Sequence, residues 1–196
     1  MKVSSLSFPS RGERHKVDHL LCYNSQMDIL SHGLYGGVAF GRNSKRNYLT
    51  AFFFGIGPDL FSFGIYFLTR ILSLNGSSLG RPDISSIPSY VHTLYDFTHS
   101  FVPYTIFFLV LWFLGKRTFA YLTLGWPFHI LVDMPVHSLE FFPTPYLWPI
   151  SSHRIDGIPW SDPRIFIPNV IFIIVLYSIW YYQNKKRKTS IERAIR

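Results

Sequence analysis

The sequence predicts an all-α fold: a polytopic transmembrane helical bundle of four longer apolar helices plus one short N-terminal helix. Hydrophobic residues make up 48% of the 196-residue chain and charged residues only 15%, against about 25% in ordinary soluble proteins. The formal net charge is +8, and the basic residues gather in clusters that alternate with apolar runs. This alternation is typical of membrane topology and argues against a nucleic-acid-binding face.

Both ends of the chain are polar and basic. Residues 1–26 lack the apolar stretch of a signal peptide, so we expect a poorly ordered N-terminal tail. Residues 184–196 are predicted to form a cytoplasmic tail near anionic lipid headgroups. The integral membrane domain is therefore predicted over residues 27–183. The single cysteine, Cys22, excludes an intramolecular disulfide and any cysteine-based metal site.

The first predicted helix, over residues 28–40, is too short to cross a membrane. At 1.5 Å per residue it is about 20 Å long, less than the hydrocarbon core of about 30 Å. Gly33, Gly37 and Gly41 recur at four-residue intervals. Small residues at that spacing let a neighbouring helix approach closely, so we expect a short helix packed inside the bundle.

Four longer apolar stretches follow, covering 48–72, 100–115, 118–134 and 164–182. A span needs about 20 residues, so the first and fourth suffice alone, whereas the second and third must borrow flanking residues. The clusters of Lys and Arg lie at 42–46, 116–117 and 185–188. The positive-inside rule places all of them on the cytoplasmic side. The loops 73–98 and 135–163, rich in Pro, Gly and Ser, then face the other side.

A stripe of ionisable residues lies within the apolar segment FHILVDMPVH, residues 128–137. His129, Asp133 and His137 recur there at intervals of four, which places them on one face of a helix. Ionisable groups at membrane depth are costly unless they face a cavity or each other. The stripe therefore predicts a polar site.

Three other segments supply ionisable residues, and the predicted topology brings them to the same, extracytoplasmic end. They are His32, Asp59 and His99, with Asp59 next to a proline that loosens its helix. Histidine and carboxylate without cysteine form the ligand set of catalytic zinc or another divalent transition metal. Such an ion lowers the pKa of a coordinated water to about 7, which makes hydrolysis the natural reaction class.

Each signal also has a structural explanation. The stripe on residues 128–137 fits a hydrogen-bonded polar seam between helices, and Asp59 fits the cap of a broken helix. His99 fits a residue of a capping region, since Asp96 and Thr98 are good N-cap types. The convergence of groups from sequence-distant segments favours the metal site.

Four motifs carry a family resemblance. They are MDILSHGLYGG, GPDL, DFTHS and FHILVDM, the last of which is followed by PTPYLWPIS. In their order and spacing over residues 27–151, these motifs resemble those of the YdjM-like membrane-bound metal-dependent hydrolases of bacteria and archaea. The resemblance implies that the family's metal positions are occupied by His32, Asp59, His99, His129 and Asp133. A looser similarity to zinc-dependent phospholipase C favours phosphoester substrates.

The chain also departs from the family's pattern. Phe61 stands where the family has the second Asp of its PDxD motif. The His-Arg that opens the family's HRGxTHS motif is replaced, so Asp96 or His92 is the candidate substitute. His137 is additional to the family's residues and is a candidate extra ligand or general base.

The resulting hypothesis is a metal-dependent hydrolase in a prokaryotic cytoplasmic (inner) membrane, with its site facing the extracytoplasmic side. Its expected cofactor is a divalent ion, Zn²⁺, and its expected partners are membrane lipid and a small or lipid-like ester or phosphoester. The alternatives are a metal-ion or proton transporter, in which the same residues form a transit site, and a non-catalytic membrane protein with a polar core. A transporter predicts an internal repeat and polar residues at both faces, whereas the polar residues here gather at one.

Overall fold

The computed structural model describes residues 25–72 and 84–195, and these residues form helices and turns without any β-strand. The predicted all-α class is therefore confirmed. Residues 1–24 of the predicted N-terminal tail lie outside the described residues, and its last two residues begin α1. The helices are α1 Ser25–Phe40, α2 Lys45–Ser62, α3 Gly64–Leu72, α4 Ser89–Thr98, α5 Phe101–Phe113, α6 Arg117–Leu122, α7 Gly125–Asp133 and α8 Pro163–Ile195, with a 3₁₀ turn at Ile84–Ser86.

Glycines let α1, α2 and α7 pack backbone against backbone. A Cβ atom on Gly37 would lie 2.5 Å from the ring of Tyr48, which confirms the predicted close approach to α1. Glycines outside the predicted series approach backbone atoms just as tightly. A Cβ on Gly55 would lie 2.4 Å from the carbonyl oxygen of His32, and the α-carbon of Gly125 faces the backbone of α2 in the same way. These contacts fix the ionisable residues of the three helices relative to one another.

Two of the predicted long helices are broken, whereas the stretch 100–115 is found as one helix, α5. The stretch 48–72 becomes α2 and α3, which meet at an angle of 61°, and α5 meets the additional helix α4 at 56°. The stretch 118–134 divides into α6 and α7 at Thr123, whose hydroxyl donates to the carbonyl of Ala120 and tightens the turn. The predicted loop 73–98 is wrong in its last part, because residues 89–98 form α4.

One helix, α8, is long and apolar enough over Pro163–Arg187 to cross a membrane. The described part of the chain would contain up to three such spans if each bent pair, α2–α3 and α4–α5, counted as one. The four uninterrupted long helices of the prediction are therefore not found. The short apolar helix is found, over Ile29–Phe40.

The last helix is anchored at its start and along its side. Asp162 caps it, since the backbone N–H of Arg164 donates to the Asp162 carboxylate at 2.8 Å. The Arg164 guanidinium also donates to this carboxylate, and these bonds lower the pKa of Asp162 to about 2. Further along, Asn169 donates to the Ser31 hydroxyl at 3.0 Å, which ties α8 to α1. The helix continues to Ile195, so most of the predicted tail 184–196 is helical.

The segment between α7 and α8 has no helix among residues 134–162, in agreement with the predicted loop 135–163. It folds back over the helix ends instead of extending away. The N–H of Phe101 donates to the carbonyl of Tyr146 at 3.0 Å, and the N–H of Trp160 donates to that of Val136 at 3.0 Å. The loop thereby covers the end of the bundle at which the predicted ligands lie.

Candidate metal centre

All five predicted metal ligands meet in one cluster. His32 comes from the middle of α1, Asp59 from the last turn of α2, and His99 from the junction of α4 and α5. His129 and Asp133 lie one turn apart on α7. Two overlapping groups could each hold a metal ion: His32, Asp59 and His129, and His99, His129 and Asp133. The spatial convergence predicted for these residues is confirmed.

Asp133 stands at the centre of the cluster. Its Oδ2 lies 3.0 Å from Nε2 of His129 and 3.5 Å from Nε2 of His99. Its Oδ1 lies 2.9 Å from Nε2 of His32. Asp59 approaches from the other side, with Oδ1 at 3.3 Å from Nε2 of His99 and 3.9 Å from that of His129. The two imidazole Nε2 atoms of His99 and His129 are only 3.1 Å apart.

Backbone carbonyls fix which nitrogen of each ring carries the proton. Nδ1 of His129 lies 2.7 Å from the carbonyl oxygen of Gly55, and Nδ1 of His99 lies 3.2 Å from that of Tyr95. A carbonyl only accepts, so Nδ1 of His129 donates. Nδ1 of His99 also lies 3.0 Å from the Thr98 hydroxyl, which donates to the carbonyl of Leu94 at 2.8 Å and so accepts from this ring. In the neutral rings the lone pairs are therefore on Nε2, the atoms that face each other. Metal-ligating histidines are oriented by the same kind of outer bond.

In these tautomers the facing atoms at the centre of the cluster are acceptors, namely the Nε2 lone pairs of His99 and His129 among the carboxylate oxygens of Asp59 and Asp133. A proton shared by the imidazoles or a bound metal ion supplies the positive charge that this arrangement lacks. Both oxygens of Asp133 are fully buried, and although an imidazole nitrogen lies within 3.0 Å of each, no described residue offers either a donor with hydrogen-bond geometry. Burying such groups unmatched is unfavourable, and a metal ion satisfies all of them together.

The spacing of the acceptors fits a tetrahedral ion. Bonds of about 2.0–2.1 Å to zinc place neighbouring tetrahedral ligands about 3.3 Å apart. The three distances among Nε2 of His99, Nε2 of His129 and Oδ2 of Asp133 are 3.1, 3.0 and 3.5 Å. These atoms form one triangular face, and Asp59 faces it from the other side. The described residues thus fit a metal ion.

Access to the cluster is one-sided. His32, His99, His129 and Asp133 are at most 2% exposed. The side chain of Asp59 is 13% exposed, and that of the neighbouring His137 is 16% exposed. Asp59 and His137 are therefore the side chains through which the cluster meets solvent.

The residues proposed as substitutes lie beside the cluster. Asp96 pairs with Arg154 at 3.3 Å and belongs to neither of the two groups that could hold an ion. His92 stacks on the ring of Phe142, with centroids 4.7 Å apart. His137 does reach the cluster, with Nε2 at 3.6 Å from Oδ1 of Asp133. A catalytic role for Asp96 stays a prediction.

Phe61, the departure from the family's PDxD motif, is 53% exposed on the surface of α2. The Phe61 side chain therefore lies away from the buried cluster, and a phenylalanine at this position does not deprive the site of a ligand. We therefore expect Phe61→Asp to leave the amount of bound metal unchanged, because the new carboxylate would point outward. Elemental analysis of the purified variant beside the unaltered chain tests this. A gain of one ion per chain would show that position 61 belongs to the site.

Two groups that hold the histidines of the cluster in place were not identified from the sequence. The carbonyl of Gly55 orients His129, and the ring of Tyr95 stacks on His99 with centroids 3.8 Å apart. Gly55 was detectable only as a glycine within an apolar helix, a hint of close approach. Comparison of the chain with family models, curated proteins and solved structures finds no match.

Proposed function

We propose that this chain is a membrane-bound, metal-dependent hydrolase of the YdjM-like type. The observation that carries the proposal is the contact between Nε2 of His99 and Nε2 of His129, 3.1 Å apart and flanked by Asp59 and Asp133. A purely structural polar seam would alternate donors and acceptors. Here two imidazole Nε2 atoms face each other beside two carboxylates, which is an arrangement suited to a cation.

The ion that best suits the site is Zn²⁺. The ligand set is imidazole and carboxylate, the separations fit a tetrahedron, and cysteine is absent from the cluster. When bound, a zinc ion lowers the pKa of a coordinated water to about 7 and polarises a substrate carbonyl or phosphoryl oxygen. His99, His129 and Asp133 would hold the ion from the buried side. Asp59, whose side chain is 13% exposed, lies at the more accessible side of the site.

The substrate class follows from the apolar surface of the helices that carry the site. Leu60 and Phe61 on α2 are 45% and 53% exposed, and Leu131 on α7 is 55% exposed. Exposed apolar side chains next to a charged site suit a molecule with a polar ester and an apolar tail. We therefore expect an ester or phosphoester of lipid-like character, delivered from the membrane.

The membrane arrangement is part of the proposal. We take α8, the bent pairs α2–α3 and α4–α5, and the broken segment α6–α7 as four crossings, an even number that returns the chain to the side on which it started, and α1 packs against α2 and α7. Asp59 lies 14 residues along α2 from Lys45, about 20 Å from the basic end. The basic clusters then lie at the cytoplasmic surface of a prokaryotic inner membrane, and the site faces the extracytoplasmic side.

Hydrolysis should depend on the metal. The purified full chain in detergent is stripped with a chelator and assayed against water-soluble esters and phosphoesters and against phospholipids. We expect activity to fall by about 100-fold or more after stripping and to return with stoichiometric Zn²⁺. Flux of metal ions or protons in proteoliposomes, without hydrolysis of any of these compounds, would contradict the proposal and support a transporter.

A further inference from the structure

A groove of about 710 Å³ opens between α2 and α6, outside the candidate metal centre. It is lined by three pairs of α2 residues, at 45–46, 49–50 and 53–54, and by Phe119 of α6. Because the pairs recur every four positions, they form one continuous stripe along the helix. We call this feature the α2–α6 groove, and it shares no residue with the two groups that could hold a metal ion.

The walls of the α2–α6 groove are apolar and mostly aromatic. The rings of Phe54 and Phe119 meet edge to face with centroids 5.6 Å apart, and the ring of Phe53 lies 5.9 Å from that of Phe54. Leu49, Phe53 and Phe119 are nevertheless 53%, 42% and 42% exposed. A contiguous apolar surface of this kind marks a place where another apolar molecule binds.

Two cations stand at one end of the α2–α6 groove. Lys45 and Arg46 are the first two residues of α2, and both side chains are exposed. In the described part of the chain, Arg154 and Arg164 have carboxylate partners, whereas Lys45 and Arg46 have none. Their charges are therefore available to an anion at this end of the groove.

The length of the α2–α6 groove matches one acyl chain of a membrane lipid. Phe53 lies eight residues after Lys45, about 12 Å along the helix axis. One leaflet of the hydrocarbon core is about 15 Å thick. A lipid whose chain lies on the aromatic walls therefore brings its headgroup to the cations. A soluble anion would use only the cations, and an uncharged lipid only the walls.

We propose that the α2–α6 groove binds an anionic phospholipid of the cytoplasmic leaflet, with an acyl chain along its walls and the phosphate at Lys45 and Arg46. The proposal rests on the membrane arrangement of the proposed function, which places this end of α2 at the cytoplasmic surface, and not on the metal ion. Basic pockets between helices at that surface bind anionic headgroups. Asp59 is about 20 Å further along α2, so this lipid is distinct from the substrate of the metal centre.

The test is the preference of the full chain for an anionic lipid, measured by native mass spectrometry in detergent. The probes are phosphatidylglycerol and phosphatidylcholine with the same acyl chains. We expect phosphatidylglycerol to bind about 10–30-fold more tightly, since each basic residue contributes an attraction of about five-fold. Lys45→Gln/Arg46→Gln should remove this preference. Lys185→Gln/Lys186→Gln, which removes two exposed cations of α8, should keep it.

A second pair of variants separates a bound acyl chain from attraction by charge alone. Thr50 lines the groove, and its hydroxyl donates to the carbonyl of Arg46 within the same helix at 3.0 Å. Thr50→Trp fills the groove and keeps both cations. It should weaken binding of phosphatidylglycerol by about 10-fold, the equivalent of two displaced methylene groups. Ile171→Trp, at a position of α8 that is 56% exposed, should leave binding unchanged.

Three results would overturn the inference: equal binding of the two lipids by the unaltered chain, the same preference in both paired glutamine variants, or unchanged binding by Thr50→Trp. Helical circular dichroism checks the fold of each variant, and the comparison of the two lipids on the unaltered chain needs no variant. A preference for phosphatidylglycerol without any hydrolysis supports this inference and contradicts the proposed function. Hydrolysis by a chain without this preference overturns this inference alone.

Discussion

Replacing Asp133 with asparagine is expected to abolish metal binding while the helices stay folded. The carboxylate is 1% exposed and contacts His32, His99 and His129. Asparagine keeps the shape but removes the charge that compensates the ion. Because even outer-sphere changes reduce metal affinity by about 10–100-fold, loss of this central ligand should exceed 100-fold. Competition with a fluorescent zinc chelator measures the affinity.

The matched control is Asp96→Asn. Asp96 is also a carboxylate near the site, but it pairs with Arg154 and is 34% exposed. We expect its variant to bind metal as the unaltered chain does. Helical circular dichroism of both variants checks the fold. Equal zinc affinity in Asp133→Asn and the unaltered chain would contradict the assigned role of Asp133.

Gly55→Ala is expected to damage both the packing and the site. A Cβ atom there would lie 2.4 Å from the carbonyl oxygen of His32 and 3.0 Å from the α-carbon of Gly33. These are backbone atoms, so no rotamer change relieves the clash and α1 must move away from α2. Overpacking of this kind costs about 1–3 kcal/mol. The shift also moves the Gly55 carbonyl, which should reduce metal affinity by about 10–100-fold through His129.

Gly57→Ala, one half-turn along the same helix, is the control. A Cβ there meets nothing nearer than the Phe61 ring at 3.8 Å. Alanine favours the helix more than glycine does, whereas Pro58 disfavours the helical conformation of a non-glycine residue before it. Because these two effects oppose each other, the free energy of unfolding should change by less than about 1 kcal/mol. Thermal unfolding in detergent compares the two variants. If Gly55→Ala unfolds at the same temperature as Gly57→Ala, the close approach of α1 and α2 is not as described.

The helical class and the meeting of the ligands could be predicted because they depend on local patterns. The four-residue spacing of His129 and Asp133 requires only that α7 be helical, which it is. The basic clusters predicted which helix ends face the cytoplasm. The opposite ends were then expected to lie together, and these carry His32, Asp59, His99 and the end of α7. These inferences needed no knowledge of helix length or angle.

The breaks in the helices could not be predicted, because they depend on tertiary contacts. Pro58 suggested a break at Asp59, yet α2 continues to Ser62, where the Ser62 hydroxyl donates to the Pro58 carbonyl at 2.8 Å. The bend at His99 depends on Ser100, whose hydroxyl donates to the carbonyl of Trp148, 48 residues away. Composition alone gave 48–72 as one span and 73–98 as a loop, so neither bend was placed correctly.

The supporting contacts of the site were equally hidden. Carbonyl oxygens orient His99, His129 and His137, and every residue has a carbonyl, so the sequence cannot show which ones serve. The exposed position of Phe61 was hidden for a similar reason, since the face of α2 that turns inward depends on its contacts with α1 and α7.

The most direct measurement is anomalous X-ray scattering at the zinc edge from crystals of the zinc-loaded protein. We expect a peak about 2.0–2.2 Å from Nε2 of His99, Nε2 of His129 and Oδ2 of Asp133. Crystals in which these imidazoles point apart, or in which zinc binds only elsewhere, would contradict the metal centre and with it the proposed hydrolase.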